Sequence, residues 1–154
     1  AKMCEEVACT ILKQLGEKID RVRDCAGTII HGLVTQTDPV IPHLPERELL
    51  EEVVAHTPGE GAIDWSSSAT TFPKLVRLLD TEVYTAPVLA GVVVSVGGLT
   101  ESLVKQSWSA LHAHLNKSDT PLVEKVAHTL HTLLQQHARD NRMVVPIFKC
   151  LHLL

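Results

Sequence analysis

Apolar residues recur every three or four positions along most of the chain, which is the spacing of one face of an α-helix. Polar residues fill the other positions of each stretch, as expected for helices with one buried face. The stretches are 3–15, 19–33, 49–54, 72–79, 86–96, 104–115, 123–134 and 141–151. The pattern predicts an all-α protein of about eight helices.

The fifth stretch is ambiguous because LAGVVVSV is apolar on nearly every side. It fits either a buried strand or a helix packed on several sides, and its span of about 11 residues is typical of a helix. Gly97 and Gly98 then predict the end of that helix, because glycine tolerates the left-handed conformation that often follows a helix. A phosphate-binding loop is the alternative, but the Lys-Ser/Thr pair of a Walker loop is missing.

The predicted helices pair into about four antiparallel hairpins, at 2–34, 46–80, 85–116 and 121–153. Their starts are spaced by about 44, 39 and 36 residues, and helix pairs with a period near 40 are typical of HEAT or armadillo solenoids. We therefore expect a single HEAT/armadillo-like α-solenoid over residues 1–154. Both ends fall within helical patterns, so we also expect it to be truncated from a longer repeat protein.

Composition excludes several classes of function. The 154 residues carry a net charge of −4 without a basic stripe, so we expect no nucleic-acid partner. No apolar run approaches the ~20 residues of a membrane-spanning helix, so we expect no transmembrane segment. The four cysteines match no zinc or redox spacing, which is typical of reduced thiols in a cytoplasmic protein.

Three residues are candidates for contact with a partner protein. Lys74 and Arg77 fall on one face of the fourth helix and could meet an acidic partner, although a solvated helix face is the alternative. Trp65 lies in a loop, where it is either an exposed anchor or a plug that covers the helix stack.

The sequence offers few candidates for metal binding or catalysis. Glu124, His128 and His131 share a face of the seventh helix and could meet one metal ion, with a solvated polar face as the alternative. No arrangement of nucleophile, base or paired carboxylates indicates catalysis. We therefore predict no enzyme, and no catalytic, cofactor-binding or metal-binding residues.

The prolines of DPVIPHLPER recur every third residue. This spacing fits a polyproline segment for an SH3-type groove, but it also fits a stiff connector between hairpins. We favour the connector, since short matches of this kind are common.

Several stretches together resemble the C-terminal region of the tubulin-specific chaperone D family, also called tubulin-folding cofactor D. They are GEKIDRVRDCAG, PVIPHLPERELLE, DWSSSATTFPKLVRLL and PVLAGVVVSVGGLTESLVKQS. The resemblance extends from about Gly16 to Leu154, and VVVSVGGLTES is its most specific part.

The resemblance implies a HEAT-repeat chaperone that captures β-tubulin and helps to assemble and disassemble the α/β-tubulin heterodimer. It further implies stimulation of tubulin GTP hydrolysis with cofactors C and E, and binding by an ADP-ribosylation-factor-like small GTPase. The location it implies is the cytoplasm and cytoskeleton, with centrosome and cell junctions as further sites. The alternative is a generic HEAT-repeat adaptor that binds another protein client.

Overall fold

The computed structural model describes residues 2–55 and 61–154. Within those ranges the chain forms α-helices and one 3₁₀ helix, without a β-strand. The elements are α1 (Lys2–Leu15), α2 (Asp20–Thr35), α3 (Arg47–Val54), α4 (Ser68–Leu75), the 3₁₀ helix (Val76–Asp80), α5 (Glu82–Val96), α6 (Glu101–Leu115), α7 (Thr120–Gln136) and α8 (Asn141–Leu151). The prediction of an all-α, solenoid-like chain is confirmed. Residues 56–60 of the predicted second hairpin lie outside the described ranges.

The ambiguous valine-rich stretch is a helix, α5. It begins at Glu82, several residues before the predicted start, because Thr81 caps it. The Thr81 hydroxyl accepts a hydrogen bond from the backbone N–H of Tyr84 at 3.3 Å. Such a cap satisfies a backbone donor that has no partner inside the helix.

Gly97 and Gly98 join α5 to α6, as the sequence predicts, but for a different reason. Gly97 has φ −87°, so it does not adopt the left-handed conformation expected of it. A Cβ atom at Gly97 would instead lie 2.3 Å from Cγ of Pro146 in α8. Glycine is therefore required because α8 approaches the turn so closely.

Helix α5 lies at the centre of the molecule and contacts α1, α6, α7, α8 and the 3₁₀ helix. Its fully buried aliphatic residues are Val88, Leu89, Val92, Val93 and Val96. Burial of each contributes roughly 1.5–3 kcal/mol relative to exposure, which makes this helix the main hydrophobic element of the core. In the described ranges, no helix is both long and apolar enough to cross a membrane.

Helices α1 and α5 cross at very short range. A Cβ atom added to Gly91 of α5 would lie 2.4 Å from the backbone oxygen of Lys13, and one added to Gly16 would lie 2.6 Å from the backbone carbon of Gly91. The buried Ser95 hydroxyl donates a hydrogen bond of 2.7 Å to the Gly16 carbonyl. The first and third predicted hairpins are therefore in direct contact.

The proline-rich segment between α2 and α3 is tied to the helices around it. The Arg47 guanidinium donates hydrogen bonds to the carbonyls of Val34, at 2.8 Å, and Ile41, at 2.6 Å. The Tyr84 hydroxyl donates to the Pro45 carbonyl at 2.5 Å. These contacts fit a structural connector, because they hold the segment at both ends.

Candidate partner-binding surface

Lys74 and Arg77 lie where α4 continues into the 3₁₀ helix, and both side chains are half-buried. The Arg77 guanidinium forms an ion pair with the exposed carboxylate of Glu52 in α3. Exposed ion pairs contribute at most about 1 kcal/mol, so a carboxylate from another protein can replace Glu52 at little cost. Lys74 forms no ion pair with any residue in the described part of the chain.

Arg77 lines a groove of about 420 Å³ between the 3₁₀ helix and α6. The basic residues that line it are Arg77, His114 and Lys117, and no acidic residue lines it. Small or apolar residues form much of the remaining wall, namely Pro73, Val76, Ala110 and Ala113. Cations beside a shallow apolar wall favour a protein partner that presents carboxylates.

His114 also fixes the position of α6 relative to the 3₁₀ helix. Its Nε2 lies 3.0 Å from Oδ1 of Asp80, and the imidazole is largely buried. This contact occupies His114 within the chain. Arg77 and Lys117 are consequently the cations of the groove that remain available to a partner.

Trp65 is packed inside the molecule, with only 3% of its surface exposed. Its indole lies against α2, where a Cβ atom at Gly27 would come within 2.1 Å of the Trp65 Cγ. The Thr71 hydroxyl donates to the Trp65 carbonyl at 2.8 Å, which ties the segment before α4 to α4 itself. Of the two alternatives left open by the sequence, this position matches the plug. Of the three candidate contact residues, only Lys74 and Arg77 reach the surface.

Arg23 of α2 is a buried cation whose structural role was not predicted from the sequence. It is 4% exposed and donates hydrogen bonds to the carbonyls of Glu17, at 2.9 Å, and Lys18, at 3.1 Å, and to that of Ser66. Burial lowers the pKa of the Arg23 guanidinium, and nearby Asp20 opposes that effect. Arg23 therefore joins the α1–α2 turn to the segment that precedes α4. The sequence signal was an Asp-x-x-Arg pattern at the start of α2.

The possible metal ligands of α7 do not form a site. Glu124, His128 and His131 all lie on exposed positions of the helix. Across residues 2–55 and 61–154, no three His, Cys, Asp or Glu side chains are arranged to hold a metal ion. Their arrangement matches the solvated polar face that was the alternative.

Comparison with known proteins gives a family match and similar relatives. A family model described as "Tubulin folding cofactor D C terminal" matches residues 5–154. Tubulin-specific chaperone D of Dictyostelium discoideum is 26% identical over 156 residues, covering 98% of this chain and 10% of that protein. The chain thus spans about a tenth of the length of this relative. No solved structure matches the chain.

Proposed function

The chain belongs to the tubulin folding cofactor D C-terminal family, and on that basis we propose that it acts in the chaperoning of tubulin. The observation that carries the proposal is the extent of the family match, residues 5–154. The similarity to Tubulin-specific chaperone D supports the same role, because it covers 98% of the chain.

In the proposed role, the protein captures β-tubulin and acts with cofactors C and E to assemble and disassemble the α/β-tubulin heterodimer. Tubulin itself hydrolyses GTP in this assembly, and the chain stimulates hydrolysis only as a non-catalytic scaffold. An ADP-ribosylation-factor-like small GTPase is the proposed regulatory partner. The proposed location is the cytoplasm, in association with the cytoskeleton. Membership of a tubulin folding cofactor family supports the link to tubulin.

Within this chain, we propose that tubulin contacts the groove that Arg77 lines, together with Lys74, which lies outside the lining next to Pro73 in the sequence. Its available cations are Arg77 and Lys117, and no acidic residue lines it, which favours a carboxylate-bearing surface. Arg77 has an exposed, replaceable carboxylate partner in Glu52. The Trp65 carbonyl accepts a hydrogen bond from Thr71 in the helix that carries Lys74, so Trp65 helps to position that helix.

Sedimentation velocity of the chain with native tubulin heterodimer tests this contact. We expect a faster species in the mixture than with either component alone. Replacing both cations, Lys74→Glu with Arg77→Glu, is expected to weaken binding about tenfold, because two attractive contacts become repulsive. The matched control is Arg21→Glu with Arg139→Glu, which changes the net charge equally at exposed positions outside the groove.

The possible outcomes distinguish a failure of the proposed groove from a failure of direct tubulin binding. Equal binding by the Lys74/Arg77 variant and the unmodified chain contradicts the groove but leaves tubulin as the partner. Independent sedimentation of chain and tubulin contradicts direct contact through this chain.

A further inference from the structure

A second groove lies between α6 and α8 and is lined by large apolar side chains. Trp108 of α6 is 36% exposed, and Val145 and Phe148 of α8 are 52% and 57% exposed. Together with Lys149 and His152 they line a groove of about 510 Å³. At 100° per residue, Trp108 is on the far side of α6 from Ala110, which lines the basic groove. The two grooves are therefore separate surfaces.

The distribution of aromatic residues singles out this groove. The chain has two Trp, two Phe and one Tyr. Trp65, Phe72 and Tyr84 are buried in the core, whereas Trp108 and Phe148 are exposed and line the same groove. Large apolar side chains clustered on a soluble surface mark interaction sites, and aromatic residues dominate the binding energy of interfaces.

The indole of Trp108 is already held in place. Its ring stacks on the imidazole of His112, with ring centroids 5.1 Å apart and an interplanar angle of 18°. Nδ2 of Asn116 lies 3.2 Å from Nε2 of His112, which fixes the imidazole in turn. An ordered side chain loses less conformational entropy on binding, so Trp108 is suited to act as an anchor.

The shape and charge of the groove indicate the chemistry of its occupant. A cleft between two helices accepts the apolar face of a third, whose contact residues recur at positions i, i+3 and i+4. The polar residues of the lining are Lys149 and His152, and no acidic residue is among them. Carboxylates beside the apolar face of the occupant would therefore be favourable.

We propose that the Trp108–Phe148 groove docks an amphipathic helix of the tubulin client, with large apolar residues on one face and carboxylates beside them. This inference rests on the proposed tubulin-chaperone function. It adds an apolar anchor site to the basic groove, so that the client is held on both sides of α6.

The test is sedimentation velocity of the full chain with native tubulin heterodimer, using the variant Val145→Glu with Phe148→Glu. Both residues are more than half exposed, so the fold should persist, and thermal unfolding checks this. We expect binding to weaken at least tenfold, since a few anchor residues carry most of the binding energy of an interface. Lys149→Glu should also weaken binding, and Lys149→Arg should preserve it. The matched control is Ile19→Glu with Ile29→Glu, two exposed apolar residues outside the groove.

Three other outcomes would contradict the inference, and each has a different consequence for the proposed function. If the unmodified chain binds tubulin and the Val145/Phe148 variant binds equally well, the groove proposal fails and the proposed function stands. If the unmodified chain does not bind tubulin, the direct contact under the proposed function fails and this inference fails with it. If the chain self-associates without tubulin and the variant abolishes that association, the occupant is a second copy and the inference is wrong.

Discussion

The charge state of a buried ionisable side chain depends on its hydrogen-bond partners and on the exclusion of water around it. Arg23 is held by backbone carbonyls, and its Nε has no hydrogen-bond partner in the described part of the chain. The Tyr84 hydroxyl donates to the Pro45 carbonyl, and burial raises its pKa. Burial also raises the pKa of the Cys150 thiol in α8, to about 12. Folding therefore favours the neutral form of both Cys150 and Tyr84.

These shifts predict that stability falls in alkaline solution. Below about pH 9 the Cys150 thiol is neutral in both states. As pH rises from about 9 towards 12, the thiol ionises in the unfolded chain only, which favours unfolding. We expect Cys150 to lower the free energy of unfolding on the order of 1 kcal/mol at pH 10. Tyr84 acts in the same direction at still higher pH.

Urea unfolding at a series of alkaline pH values measures this dependence. Cys150→Val removes the thiol and should flatten the decline, whereas Cys25→Ser, at an exposed position, should leave it unchanged. The same slope in Cys150→Val and the unmodified chain would show that the thiol has no part in it.

Helices are positioned by how closely their backbones approach one another. α1 and α5 meet at Gly16 and Gly91 with no room for a side chain between them. At the end of α5, Gly97 packs against the Pro146 side chain of α8, which also leaves no room for a Cβ atom. Because α5 is in contact with most of the other helices, these two glycine contacts set the geometry of the stack.

Gly91→Ala is expected to destabilise the protein by about 1–3 kcal/mol, because the added methyl group meets the Lys13 backbone oxygen, which cannot rotate away. The matched control is Gly32→Ala in α2, where no atom lies within 4 Å of the added Cβ. That change should stabilise the helix by roughly 0.5–1 kcal/mol. Chemical unfolding of both variants provides the comparison. A Gly91→Ala protein as stable as the unmodified chain would mean that the crossing relaxes easily.

The whole molecule is more tightly connected than a simple series of repeats. In an ideal solenoid each hairpin contacts only its neighbours, so stability accumulates along the stack. Here α1 packs on α5 as well as on α2, and α5 also contacts α7 and α8. Helix α1 of the first pair thus covers the same central helix as α7 and α8 of the last pair.

This connectivity predicts that residues 36–154 do not fold cooperatively alone. Deleting α1 and α2 would uncover apolar surface of α5 and remove the bond from Ser95 to Gly16. We expect loss of a sharp thermal transition by circular dichroism and increased binding of an apolar dye. Adding residues 1–35 as a separate peptide should restore the transition. A cooperative transition in the deleted chain alone would indicate that the repeats fold with their nearest neighbours only.

The sequence by itself determined the family and most of the helical elements, although it did not separate α4 from the 3₁₀ helix that follows it. Helical periodicity is a local property, so it identified the helical stretches and, with their length, the helical state of α5. The Gly97–Gly98 joint and the family resemblance were also evident, because both follow from the order of residues along the chain. Periodicity also placed Lys74 and Arg77 near one another.

Only the tertiary structure decided which apolar surfaces are covered. Trp65 and Trp108 are the same residue type, yet one fills a space against Gly27 and the other remains exposed beside Phe148. Gly91 packs against α1, which is far from it in the sequence, so no local sequence pattern could reveal this contact. Periodicity reports that a helix has an apolar face. Which helix covers that face depends on packing between residues far apart in the sequence. In this protein the surrounding helices cover α5, and the groove between α6 and α8 remains exposed.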